Sequence, residues 1–233
     1  YGETGILGLG VPEEYGGSGG GLTEIVTAME MLAANGLPVL TILLTGFPRN
    51  AIVKYGTKEQ IEKFAVPTTK GEVKMSFAHT EPNSGSNTFG TATMARKTDR
   101  GTYVLNGQKY LIGNGGESNL YFVFAKTDPD KGAKGVSCFL VEKGTPGFTI
   151  GPNIWKVGLN GQRTAELFFD NCRIPKSHLI GNLGEGFKIA MQAVDPARVI
   201  VAATSIGMAQ AALEEAVKFA KERIQFGEPI AAK

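Results

Sequence analysis

The residues best equipped for chemistry lie in one stretch, 74–87. It begins as an extended run in which Met75, Phe77 and His79 share one face and Ser76, Ala78 and Thr80 the other. At Pro82 the run breaks into a loop of small polar residues, Asn83, Ser84, Gly85 and Ser86. A strand delivered into such a loop presents bare backbone N–H groups and hydroxyls at a sheet edge. A flat polar ring or a phosphate could dock there. A plain polar turn is the simpler alternative for these residues taken alone.

Other chemistry is thinly represented. His79 and His178 are the two histidines and so the two imidazole base candidates. Gly16, Gly17, Ser18, Gly19 and Gly20 match the glycine–X–serine–X–glycine elbow of hydrolases literally, but they sit in a glycine-rich loop with no strand before it. Gly181, Gly184 and Gly186 have the wrong order for a dinucleotide fingerprint, and no strand–helix unit surrounds them. Cys138 and Cys172 are too few and too far apart for a disulfide framework or a thiolate metal site, so no metal is expected. Each sits in an apolar strand-like run, which suits a buried free thiol in a reducing compartment.

Three blocks must position these groups. Residues 1–70 read as helical. Leu22, Ile25, Val26, Met29, Leu32 and Ala33 recur at helical spacing, Pro38 suits a first turn, and Thr57 with Gln60 reads as a capping box opening a helix to Phe64. Residues 71–180 read as β structure: runs near 91–97, 103–105, 121–126, 136–141 and 166–169 alternate with turns at Asn106–Gly107, Asp99–Gly101 and Thr145–Gly147. The absence of long helices between them predicts an antiparallel barrel or sandwich rather than a doubly wound parallel sheet. Residues 181–233 return to helix. Asp195 before Pro196 reads as its cap, and an alanine-rich stripe from Val199 through Ala203, Ile206, Ala209, Leu213 and Val217 to Ala220 runs to a stop at Phe226 and Gly227. The fold class is therefore α+β: an N-terminal helical domain, a central antiparallel β-barrel-like domain, and the start of a C-terminal helical bundle. Trp155 and Phe187 read as core.

With 233 residues the chain can bury a large core without staples. A net charge of +2, with scattered basic residues, gives no reason to expect a nucleic-acid or acidic-membrane partner. No apolar run reads as long enough to span a bilayer, and no signal peptide is evident, which points to a soluble intracellular protein. The chain opens at Tyr1 in mid-flow and stops a few residues past a strong helix, so both ends read as cut edges of something larger.

In this order the blocks resemble the acyl-CoA dehydrogenase family, along nearly the whole chain. The stretch 77–87 is similar to the family's first signature. Asn106, Gly107, Gln108 and Lys109, followed by Ile112, Gly113 and Asn114, resemble the second flavin-contacting strand. Pro175, then Leu179, Ile180 and Gly181, then Gly184, Glu185, Gly186 and Phe187, resemble the passage into the last helical domain. Asp195 with Arg198, and Arg223 with Phe226 and Gly227, resemble that domain's first long helix.

The resemblance implies non-covalently bound FAD, an acyl-CoA thioester lying against it, a glutamate base for the α proton, hydride transfer from the β carbon to the flavin, and electrons passed on to an electron-transfer flavoprotein. It implies a homo-oligomer, a dimer or the family's homotetramer, working in fatty acid metabolism in the cytoplasm or, in a eukaryote, the mitochondrial matrix. Position by position, Phe77, His79 and Thr80 would face the flavin, with Thr80 at its pyrimidine end. Gly85 would allow close approach, and Ser86 would touch both FAD phosphate and acyl-CoA. Leu111, Ile112 and Gly113 would carry further flavin contacts. Asp195 and Arg198 would line the acyl-CoA site. Arg223, with Phe226, would reach the FAD of a neighbouring subunit, since a guanidinium fork suits a diphosphate.

Three departures qualify this. The family's Trp-Ile-Thr is Leu111, Ile112 and Gly113 here, so the aromatic shield and a flavin-bonding hydroxyl are missing. Asn87 replaces an aspartate. Ala197 stands where some members carry the base, which places the base beyond Lys233 and predicts that residues 1–233 alone do not dehydrogenate acyl-CoA. Glu81 resembles a structural member of the signature. The alternatives are a relative with altered chemistry (an enoyl-CoA reductase, an acyl-CoA oxidase or a desulfinase-like enzyme) and a non-catalytic fragment or binding module that keeps only the fold.

Overall fold

Apolar spacing, not propensity alone, sets the first helices. In the computed structural model, which describes residues 1–88 and 90–232, helix α1 spans Leu22–Ala34 and α2 spans Val39–Tyr55, with Pro38 immediately before it. Met29, Ala33, Val39, Ile42 and Leu43 bury against one another and against Ile200 far along the chain. Lys233, the last residue of the third block, lies outside the described residues, as does Phe89.

The capping box forms. The Gln60 N–H donates to Thr57 Oγ1 at 3.3 Å and the Thr57 N–H to Gln60 Oε1 at 2.9 Å. The helical run it opens, α3 (Lys58–Gln60), a π turn (Ile61–Ala65) and α4 (Val66–Thr69), goes past the expected end at Phe64. Gln60 also donates through Nε2 to the carbonyls of Ser177 and Leu179. One glutamine thereby caps a helix and ties the N-terminal block to the far edge of the β block.

Among the described residues the β block has eight strands: β1 Met75–Ala78, β2 Met94–Lys97, β3 Tyr103–Gly113, β4 Leu120–Lys126, β5 Val136–Glu142, β6 Phe148–Asn153, β7 Thr164–Ile174 and β8 Leu179–Ile180. They run in the order β6-β7-β3-β2-β4-β5-β8, with β1 also on β4. Pairing is antiparallel except at β1–β4 and a short β2–β4 contact, so the sheet is mixed but mostly antiparallel, as expected. Strand β4 is buried on both faces. Leu120, Phe122 and Phe124 meet Ile52, Phe64 and Ile189 on the helix side. Tyr121, Val123 and Ala125 face a second core made by strand residues alone, including Tyr103, Phe139 and Leu167. That second core is the interior of a sheet curled on itself, the barrel-like domain. Cys138 and Cys172 are buried free thiols.

The last block departs from expectation at both ends. A single helix, α5, spans Gly186–Glu222, so Asp195 and Pro196 lie inside it and do not cap it. A mid-helix proline costs about 3 kcal/mol, but Gly186, Ile189 and Ala190 are buried in the ten residues before it, Ile189 and Ala190 completely. Their burial against the sheet holds that turn helical. At the other end α5 stops at Glu222, before Phe226. Phe226 and Gly227 instead turn a small hairpin between β9 (Ile224–Gln225) and β10 (Glu228–Pro229), both with left-handed φ, 56° and 85°. Helix α1 lies so close to α5 that a Cβ on Gly207 would fall 2.1 Å from the Glu30 carbonyl oxygen. Beyond that contact Met208, Leu213, Val217 and Phe219 are exposed.

Two further expectations fail. Trp155 is 83% exposed rather than core, because it lies past β6 in an irregular loop, 154–163. Helix α5 is long and apolar enough to cross a membrane by length and composition, which the sequence reading had denied. Here Ala197, Ile200, Ala203 and Thr204 on it are buried against protein.

Candidate functional site

The site is assembled around the end of β1. Ser76, on the inward face, donates through Oγ to the Gly113 carbonyl at 3.0 Å and lies 2.8 Å from Ser118 Oγ. Two residues past β1, the Thr80 carbonyl accepts from the Tyr110 N–H at 2.9 Å. Segment 77–80 and segment 110–113 are thus held side by side. The side chain of Asn114 locks the arrangement from below: its Nδ2 donates to the carbonyls of Thr41 and Met75, joining α2, β1 and β3.

Strand β3 does not run straight past this point. Lys109 pairs with Leu167 and Ile112 with Ala165, so β3 carries one extra residue. The bulge puts Leu111 at φ 55° with its side chain half exposed, while Ile112 turns into the core. Gly113 follows at the edge.

Glu81 organises the loop. Its carboxylate is buried and accepts from the N–H groups of Ala92 and Thr93, at 2.6 and 3.0 Å, and from Lys109 Nζ at 2.8 Å. Those two N–H groups are why β2 starts at Met94 rather than at Thr91. They bond a side chain, not a strand. Lys109 Nζ also donates to the His79 carbonyl at 3.1 Å. The turn itself closes through the Glu81 and Ser84 backbones, and Gly85 and Ser86, just after it, are exposed.

Burial governs the charges here. It pushes the Lys109 ammonium down to about 8, against the pull of Glu81. For Glu81, burial acts upward, but Lys109 and the hydrogen bonds from Thr93 and Ala92 outweigh it and hold the carboxyl below its usual range. Burial, reinforced by the Lys109 charge, lowers His79 to about 4, so its imidazole is neutral at neutral pH. That ring packs edge-on against Phe124 at 5.0 Å and Phe77 at 6.2 Å.

The structure therefore brings Phe77, His79, Thr80, Leu111, Ile112 and Gly113 to one edge, with Gly85 and Ser86 on the adjoining loop. Asp195 and Arg198 are exposed on α5. Their helix reaches this edge through Phe47, whose ring meets Phe77 at 6.2 Å and which lines, with Ala193, Pro196 and Ala197, an apolar cavity of about 70 Å³. Arg223 and Phe226 are not part of the cluster. They follow the far end of α5, some 25 residues and roughly 37 Å of helix beyond Arg198.

Sequence reasoning passed over the roles of Lys109, Asn114 and Gln162. A signal existed for Lys109: it is in phase with Tyr103 and Leu105 on the inward face of β3, and an inward lysine needs a carboxylate. Nothing in the sequence marked Asn114 or Gln162.

Residues 1–72 match the family model described as acyl-CoA dehydrogenase, N-terminal domain, residues 76–172 the middle domain, and residues 184–233 the C-terminal domain. The chain is 47% identical to the acryloyl-CoA reductase (NADH) of Anaerotignum propionicum, over 98% of this chain and 59% of that protein. Butyryl-CoA dehydrogenase from Megasphaera elsdenii superposes with a TM-score of 0.94 at 43% identity, over 97% of this chain and 61% of that one. A chain in a structure described as the electron transferring flavoprotein of Acidaminococcus fermentans gives 0.96 at 40% identity, over 100% and 61%. The chain thus spans about three fifths of the length of the relatives it matches. With its helices, its curled sheet and its long last helix all accounted for, this chain belongs to the acyl-CoA dehydrogenase family of flavoprotein oxidoreductases.

Proposed function

We propose that the protein carrying this chain binds FAD at the edge formed by 77–80 and 111–113 and uses it to dehydrogenate an acyl-CoA thioester between the α and β carbons. The observation that carries this reading is the juxtaposition of those two segments by the Tyr110–Thr80 and Ser76–Gly113 hydrogen bonds. The edge fits a flavin. It offers backbone polar groups along one line, an apolar backing of Phe77, Phe124 and neutral His79, and no side chain at Gly113. Bound there, the flavin supplies two-electron redox chemistry.

The chain's own residues bind and orient. Thr80 offers its hydroxyl and N–H to the ring's polar end. Gly85 and Ser86 lie where a phosphate or the thioester's CoA portion can approach the open loop. Leu111, raised by the bulge, covers one face. Asp195 and Arg198 line the substrate side. Arg223 and Phe226 serve the FAD of a neighbouring subunit in a homodimer or homotetramer, which suits their distance from this edge. Proton abstraction is assigned to a carboxylate outside residues 1–233, because Glu81 is occupied by three partners and position 197 is alanine. The three-part division 1–70, 71–180 and 181–233, an electron-transfer flavoprotein as electron acceptor, and a soluble location in the cytoplasm or mitochondrial matrix complete the proposal.

A second reading has a specific observation behind it. Gly113 offers no hydroxyl, Leu111 no aromatic shield, and a relative named as an acryloyl-CoA reductase shares 47% identity. An enoyl-CoA reductase fits these facts. The test is an anaerobic titration of the purified full-length protein with butyryl-CoA and, after reduction, with acryloyl-CoA. Bleaching of the flavin band by butyryl-CoA supports the dehydrogenase. Reoxidation by acryloyl-CoA without bleaching by butyryl-CoA supports the reductase. A colourless protein that takes up no FAD overturns both.

A further inference from the structure

Gly113 is where the proposed flavin edge lacks a side chain, and a neighbour fills the space. A Cβ built on Gly113 would lie 2.1 Å from Nε2 of Gln162 and 2.5 Å from Cδ1 of Leu44. The backbone at Gly113 is not left-handed, so φ does not call for glycine; a side chain there would have to displace the ends of Gln162 and Leu44. A side chain at 113 and the Gln162 carboxamide are therefore alternative occupants of one volume.

Gln162 is placed firmly. It is 8% exposed and lies in the bend just before β7, whose Thr164 pairs with Gly113 on β3. Lys156 Nζ donates to its main-chain carbonyl, to its Oε1 at 3.4 Å and to Thr164 Oγ1 at 3.0 Å. An ammonium only donates, so the carboxamide oxygen must face Lys156 and the NH2 must face the other way, toward Gly113. Among the described residues no hydrogen bond from that NH2 is found, and it is not among the fully enclosed polar atoms, so it stays open to a ligand. Gln162 also lines a cleft of about 560 Å³ with Val39, Thr41, Val201 and Met208, so a ligand can reach it.

We propose that Gln162 is a positioning residue for the flavin, its carboxamide N–H donating to the polar edge of a ring laid along 111–113 in place of the side chain absent at Gly113. This rests on the flavin reading above. Lys156 is the brace that fixes the direction of the donor.

The test uses the full-length protein with FAD added and reads binding, visible spectrum and midpoint potential. Wild type is the control for the flavin reading: if it takes up no FAD, that reading fails, whatever Gln162 does. With a flavin-binding wild type, Gln162→Met keeps the length and removes the donor. The expected result is an FAD dissociation constant raised about 2- to 12-fold, a shifted flavin band, and a lower midpoint potential, because an N–H donor favours the charge the ring gains on reduction. Gly113→Ser alone is expected to expel flavin by collision with Gln162, and Gly113→Ser with Gln162→Ala to regain it. A wild-type potential and spectrum in Gln162→Met, or a double variant that binds no better than Gly113→Ser, overturns the proposal.

Discussion

Lys109 Nζ lies 2.8 Å from Glu81 Oε1, and the two side chains are 0% and 4% exposed. The pair is the post on which the loop after β1 is hung, since Glu81 also takes the N–H groups of Ala92 and Thr93. Lys109→Met leaves a buried carboxylate without its cation and is expected to cost about 3–5 kcal/mol. Glu81→Gln combined with Lys109→Met removes both charges and is expected to recover most of that loss. Urea unfolding of the three proteins checks it; a double variant as unstable as the single one would show that the loop needs the charge itself.

His79 sets a pH window. Its folded value is about 4, against about 6.5 for an unfolded histidine, so between these values the unfolded chain holds the extra proton. The His79 contribution to stability therefore rises with pH from 4 to 6.5 and is flat above, by on the order of 3 kcal/mol in all. His79→Phe is expected to flatten that rise in denaturation midpoints measured from pH 4.5 to 7.5. Retention of the full slope in the variant would assign it to other groups.

Leu111 tests whether strain serves the ligand edge. A left-handed leucine costs about 1–2 kcal/mol, and Leu111 keeps 51% of its surface exposed, so its packing returns little. Leu111→Gly is expected to leave thermal stability within about 1 kcal/mol of wild type, the relieved strain balancing the extra chain entropy. Flavin retention on gel filtration is expected to fall, because the apolar cover is gone. A variant that is both less stable and fully flavin-loaded would reverse the assignment.

Gly207 tests the helix contact. Its Cβ position is 2.1 Å from the Glu30 carbonyl oxygen, so Gly207→Val must push α1 off α5. A loss of about 1–3 kcal/mol is expected from overpacking, read by chemical denaturation. An unchanged midpoint would mean that the two helices separate without cost.

Arg223 tests the subunit-bridging role. Arg223→Ala is expected to leave the stability of residues 1–232 within about 0.5 kcal/mol, since the side chain is exposed. It is expected to weaken FAD binding by the oligomer by about 1.5–3 kcal/mol, the worth of a hydrogen bond to a charged group. Equal flavin affinity in variant and parent sinks that role.

The sequence by itself determined the three blocks, their order and most of their main elements, because those rest on local spacing; β6, β8 and the β9–β10 hairpin were not read from it. Period-two apolar runs gave the strands, the Thr57–Gln60 box opened a helix, and the residues of 77–87 with 106–114 carried the family resemblance. Tertiary structure decided everything that depends on burial between distant segments. Asp195 and Pro196 look like a helix start, yet the buried turn containing Ile189 and Ala190 carries α5 through them. Trp155 looks like core, yet no layer covers its loop. Strand phase turns Lys109 inward, but only the fold brings in its partner, Glu81, 28 residues away. Gly113 looks like the loss of a side chain. Only the approach of Gln162, brought in by the pairing of β3 with β7, shows what fills its place.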